Sequence, residues 1–174
     1  LADYSGKAYG VINDSALVVN EEGETVQQLE FLLGKNELLL NTKEDTTFTT
    51  ANLAAHLAAG DLYGLKLSNG VVRTIDTSDN GFAGIGVTTD FENLGVTTWC
   101  PVAAISGDND VLTITTGGGN INVTILDGAS LYLAEVEGGV ITGYESAKLS
   151  DIEVGYDVRV YSLTGDEPGI AEVV

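Results

Sequence analysis

Hydrophobic and polar residues alternate with a period of two along most of this chain, and glycines break the runs. The first such run is Tyr9 to Asp14, followed by Ala16 to Asn20 and a turn at Glu21 to Glu24. Val26, Leu29, Phe31 and Leu33 mark the next strand, Gly34-Lys35-Asn36 turns the chain, and Glu37 to Thr42 returns. Lys43-Glu44-Asp45 breaks this pattern before the short β-prone stretch Thr46 to Thr50. Alternation of this kind predicts strands with one face buried.

One passage departs from it. In "ANLAAHLAAGD", Leu53 and Leu57 are four apart among alanines, Thr50 can cap the start, and Gly60 suits the position after the end. This predicts a helix of about two turns. A hairpin follows, with Leu65 and Leu67 on one strand, Val71, Val72 and Ile75 on the other, and Asn69-Gly70 between them. Both turn residues tolerate positive φ, which a tight hairpin requires.

From Asp76 to Gly95 the periodicity weakens, with one strand expected in "GIGVTT". It restarts near Trp99. "PVAAIS", "VLTIT", "INVTIL", "SLYLAEV" and "VITGYES" read as strands, with turns at "GDND", Gly117-Gly118-Gly119 and Gly138-Gly139. "GYDVRVYSLTGDEPGIAEV" then repeats the pattern of "GDLYGLKLSNGVVRTI", each a closing hairpin that opens with glycine. The expected fold is all-β. It comprises two tandem small β-barrels, OB-like or SH3-like, of five to six strands each, with one short helix in the first. The expected domains are residues 1–76 and 98–174, joined by an irregular connection at 77–97. Barrel closure is the economical way for so few strands to remove their edges.

Composition sharpens this picture. Lys and Arg number 7 against 26 Asp and Glu, a net charge of −19. Such a surface repels phosphate, so nucleic acid is excluded as a partner at this stage, and anionic membranes are disfavoured. No run is long and apolar enough for membrane insertion. Cys100 is the single cysteine, so no internal disulfide is expected. The chain reads as a fragment of a longer protein whose targeting signals and anchor lie outside it.

The candidate chemistry is sparse. His56 is the single histidine, in an alanine-rich turn without a nucleophile motif beside it. Cys100 in "TWCP" lacks a protease signature and suits a buried small hydrophobe. "GFAGIG" at Gly81 to Gly86 lacks both the glycine order and the following helix of a phosphate cradle. Asp76, Ser78, Asn80 and Gly81 match the front half of a calcium loop, but Val87 stands where a bidentate glutamate belongs. Asp90 and Glu92 lie further on, and the hairpin turns with Asp108, Asn109, Asp110, Asp166 and Glu167 share the ambiguity with solvated turns. Among 26 acids some carboxylate pair is inevitable, so pairing has no diagnostic value. Trp99 and the tyrosines suit either a sugar platform or core packing. No catalytic, cofactor-binding or metal-ligating residue is assigned, and no cofactor is expected.

The second half, from "VLTIT" through "LSDIEVGYDVRVYSLTGDEPGIAEVV", resembles the repeated β modules of S-layer-type surface proteins of Gram-positive bacteria. The likeness rests on an alternating strand pair, an acidic glycine-containing turn and the "LSDI-x-x-G-x-x-V-x-V-Y" pattern. "YGVI…GDLYGLKLSNGVVRTID" is similar to the module that precedes it in such proteins. Tyr156, where aspartate usually follows the glycine, and the irregular stretch Thr77 to Thr98 depart from the pattern. The resemblance implies a non-enzymatic structural module on the bacterial cell surface. Its implied partners are other domains of the same surface protein or neighbouring S-layer subunits, with cell-wall glycan as a further candidate. A carbohydrate- or ligand-binding accessory module and a calcium-stabilised adhesin-like domain are the alternatives.

Overall fold

A computed structural model describes residues 4–44, 62–78, 86–87, 91–93, 99–108, 110–125, 129–163 and 166–173. The chain divides into two compact units, residues 1–88 with 136–144, and residues 89–135 with 145–174. The fold is all-β. Thr46–Thr50 and the expected helix, with Leu53, His56 and Leu57, lie outside the described residues.

In the first unit, β1 (Gly6–Val19), β2 (Thr25–Leu33), β3 (Asn36–Asn41), β4 (Tyr63–Ser68), β5 (Val71–Thr77) and β6 (Gly86–Val87) form a sheet of order β3-β2-β1-β4-β5-β6. A parallel bridge between Thr42 and Val72, with the Lys43 amide donating to the Val72 carbonyl at 2.9 Å, joins the end of β3 to β5. The sheet thereby curls into a five-stranded barrel of order 1-2-3-5-4 whose third and fifth strands run parallel. This is the OB-like alternative of the two expected.

The two segments Tyr9–Asp14 and Ala16–Asn20 are one strand. Asn13-Asp14-Ser15 do not turn the chain, and the alternation changes phase instead at a β-bulge, where pairing with β2 shifts between Ile12 and Asp14. Asn13, the extra residue, turns its amide to the backbone of Tyr144 within the same unit. Its Nδ2 donates to the Tyr144 carbonyl at 2.9 Å, and its Oδ1 accepts from the Tyr144 N–H at 2.7 Å. Gly10 sits one strand-step before the bulge, and a Cβ there would lie 2.2 Å from the Leu32 carbonyl oxygen. Only glycine lets β1 and β2 approach so closely.

The second unit repeats the strand order. Its strands are β7 (Phe91–Asn93), β8 (Cys100–Ser106), β9 (Val111–Thr116), β10 (Gly119–Thr124), most of β11 (Leu131–Glu137), β13 (Asp157–Leu163) and β14 (Asp166–Val173), while β12 (Val140–Ser146) belongs to the first unit as far as Tyr144. The sheet order is β10-β9-β8-β13-β14-β11-β12, with β7 paired to β13. Strands β10-β9-β8-β13-β14 reproduce the order β3-β2-β1-β4-β5, and β11 runs parallel to β14. Strand β8 even carries its bulge at the matching place, between Val102 and Ala104. The strand β7 was not anticipated from sequence, because three residues are too few to show a period.

The two repeated phrases are hairpins β4–β5 and β13–β14, as their pattern predicts. The first turns at Asn69-Gly70 with φ of 50° and 77°, the positive values that this pair accommodates. Each unit has its own apolar interior. In the first, Ile12, Leu29, Phe31, Tyr63, Leu65, Val72 and Ile75 meet. In the second, Cys100, Val102, Leu112, Ile114, Val123, Val158 and Val160 do. Burial of each large side chain contributes roughly 1.5–3 kcal/mol.

Candidate ligand groove

An open groove of about 660 Å³ lies at one end of the first barrel. Its first wall is the β1–β2 loop. Asn20 organises this loop: its Oδ1 accepts from the N–H groups of Glu22 (3.1 Å) and Glu24 (2.8 Å), and its Nδ2 donates to Glu24 Oε2 at 3.1 Å. Gly23 takes φ of 82° to complete the turn. The loop is thus held by its own side chain, and Glu21, Glu22 and Glu24 line the groove from it.

The second wall is the end of β3. The Gln27 N–H donates to Thr42 Oγ1 at 3.2 Å, and Gln28 Nε2 donates to Asn41 Oδ1 at 3.2 Å. Lys43 and Glu44 continue this wall, Lys43 fixed through its backbone to Val72. The third wall comes from the β4–β5 hairpin. Asn69, Val71 and Arg73 line it, and the Asn69 N–H donates to Ser5 Oγ at 3.0 Å. Pairing of β4 with β5 shifts between Lys66 and Leu67, which leaves Arg73 as the extra residue of a bulge. Bulges of this kind re-aim one side chain.

Among the described residues the groove is therefore polar and of mixed charge, with four carboxylates and two of the chain's seven cations. Barrels of this strand order bind oligonucleotides and oligosaccharides on the face of strands two and three and between the corresponding loops. Sequence reading did not single out Arg73, Lys43 or Asn41, because they come together only when β3 closes onto β5.

Beside the groove, the outer face of the same strands carries Asp14, Glu30 and Glu37. A hydrogen bond with Glu37 raises the Glu30 carboxyl above its ordinary 4.5, and partial burial and the charges of Glu37 and Asp14 push the same way.

In the second unit, Arg159 is buried on β13 between two rings. Its guanidinium lies 5.6 Å from the Trp99 ring centre and 5.5 Å from that of Tyr161, and Nη2 donates to Tyr161 Oη at 2.5 Å. Phe91 meets Tyr161 edge-on at 6.0 Å. Trp99 thus covers an arginine, and Tyr63, Tyr132, Tyr144 and Tyr161 are buried, so these aromatics do not share an open face. Cys100 is buried in the core. Asp76 pairs with Gly86 on β5, while Asp79, Asn80, Gly81 and Asp90 of the calcium-like stretch lie outside the described residues. Asp108 and Asp110 occupy a hairpin turn in which Gly107 has φ of 68°.

No protein-family model and no curated protein matches the sequence. A solved structure similar to the chain is the tetrameric p202 HIN2, at 11% identity and a TM-score of 0.29, covering 98% of this chain and 90% of that one. The exclusion of nucleic acid drawn from net charge is corrected. The strand order of the barrels is one that carries oligonucleotides elsewhere. Net charge sums over the whole surface, whereas recognition depends on the local field, so a charge of −19 does not by itself exclude that partner.

Proposed function

We propose that this chain is a non-catalytic structural module of the S-layer type, displayed on the bacterial cell surface. One observation carries this reading: the same strand order and directions are built twice, each around its own filled apolar interior. Tandem curled sheets of this kind suit a load-bearing or spacing role, because strands paired on both sides leave few edges to open. The acidic surface keeps such a module hydrated and separate from its neighbours. The test is immunolabelling of intact cells of the source organism with antibody to the recombinant chain. Labelling of unpermeabilised cells is the expected result, and labelling only after permeabilisation overturns it. Hydrolysis of a wall glycan, abolished by one carboxylate substitution, would overturn the non-catalytic part.

A second reading is that of a ligand-binding accessory module. The polar groove of the first barrel favours it, since its walls are fixed by backbone and amide hydrogen bonds rather than left to fold around a ligand.

A further inference from the structure

We propose that the groove of the first barrel binds a short peptide with free ends, holding its carboxylate on Arg73 and Lys43 and its ammonium on Glu21 and Glu22. This rests on the ligand-binding reading and names its substrate class. The groove's charge is what selects the class. On a chain with seven cations and 26 acids, two of the cations line this one groove among the described residues, together with the glutamates of the β1–β2 loop. An anionic polymer would meet the loop carboxylates, and a polycation would meet Arg73 and Lys43. A ligand with opposite charges at its two ends satisfies both walls.

Three structural features support the assignment. The bulge at Arg73 turns a guanidinium toward the groove, and a guanidinium grips a carboxylate through two parallel hydrogen bonds. The glutamate loop is locked by Asn20, so the two charged walls keep their separation before any ligand arrives. Between them, Asn41, whose Oδ1 is taken by Gln28, offers amide donors suited to peptide carbonyls. Among the described residues that line the groove none is aromatic, and the donors and carboxylates there suit the ends and amides of a peptide. Its volume of about 660 Å³ falls among sites for small ligands, enough for a peptide of a few residues.

The experiment is a ¹H–¹⁵N titration of the whole chain with trialanine, with N-acetyl-trialanine amide, and with chitotriose. Trialanine is expected to shift the amides of Asn41, Lys43, Asn69 and Arg73, and the doubly capped peptide to leave them in place. Arg73→Gln, an exposed position, should weaken trialanine binding about tenfold with the spectrum otherwise dispersed. Glu21→Gln with Glu22→Gln should weaken it as well, which a site for a carboxylate alone would not show. Equal shifts with the capped peptide overturn the proposal. Shifts in the groove with chitotriose and none with trialanine overturn the peptide assignment and leave the ligand-binding reading standing. No shift with any probe at millimolar concentration overturns both.

Discussion

The two barrels share strand order, strand direction and the site of a bulge in their first strand, yet their outer faces differ in charge. Aligned on the bulges, Asp14, Glu30 and Glu37 of the first barrel correspond to Ala104, Thr113 and Asn120 of the second. The first face is a set of like charges that raises the Glu30 carboxyl above its ordinary 4.5, with the Glu37 hydrogen bond the largest cause. The second is a neutral ladder, in which Thr113 Oγ1 donates to Asn122 Oδ1 and Thr115 Oγ1 to Asn120 Oδ1, both at 2.9 Å. The backbone scheme is thus indifferent to what its outer face carries. The interior positions between these residues are apolar in both barrels, and they specify the register.

The largest effects should come from what the barrels share. Phe31→Ala in the first is expected to cost about 3–5 kcal/mol and Leu112→Ala in the second about 2–5, measured by urea denaturation. Trp99 is the single tryptophan and belongs to the second unit, so its emission follows the Leu112 variant there. Unchanged midpoints would mean these side chains do not fill the interiors. Asn13→Ala should cost about 1–3 kcal/mol, because it strips both partners from the Tyr144 backbone. Ala103, at the matching bulge of the second barrel, is already without such an amide, so its replacement by valine should stay near neutral.

Smaller effects test the difference. The folded pKa of Glu30 lies above 4.5, so the folded chain binds that proton more tightly than the unfolded one. Its contribution to stability is complete below pH 4.5 and is lost as pH rises through the folded value. Glu30→Gln should therefore flatten the melting temperature against pH in that window and raise stability slightly at neutral pH. Conversely, Thr113→Glu with Asn120→Glu should write the same slope into the second barrel, read from Trp99 emission. Thr113→Val alone, which removes one exposed ladder bond, should change stability by no more than about 0.5 kcal/mol. A slope that survives Glu30→Gln would place the like-charge strain elsewhere.

Much of the fold was legible in the chain. The hairpins at Asn69-Gly70 and in the second repeat announced themselves, because alternation and positive-φ turn residues are local signals. The continuous strand Gly6–Val19 was not, since a bulge shifts the phase of alternation and mimics a break. The groove was less legible still. Arg73 stands beside Thr74 as one more polar residue of a strand, and Asn20 reads as an ordinary turn former. Arg159 alternates with Val158 and Val160 as a solvent-facing residue would, yet Trp99 and Tyr161 bury it.

By itself the sequence determined that strands form, where most of them turn, and which side chains face an interior. Those properties follow from the period of two and from backbone freedom at single residues. Only the tertiary structure decided that the order is OB-like and that β3 meets β5. It alone brought Arg73 and Lys43 into one groove with the Glu21–Glu24 loop. Strand pairing across tens of residues is chosen by how two faces pack together, and no local pattern of hydrophobic and polar residues records that choice.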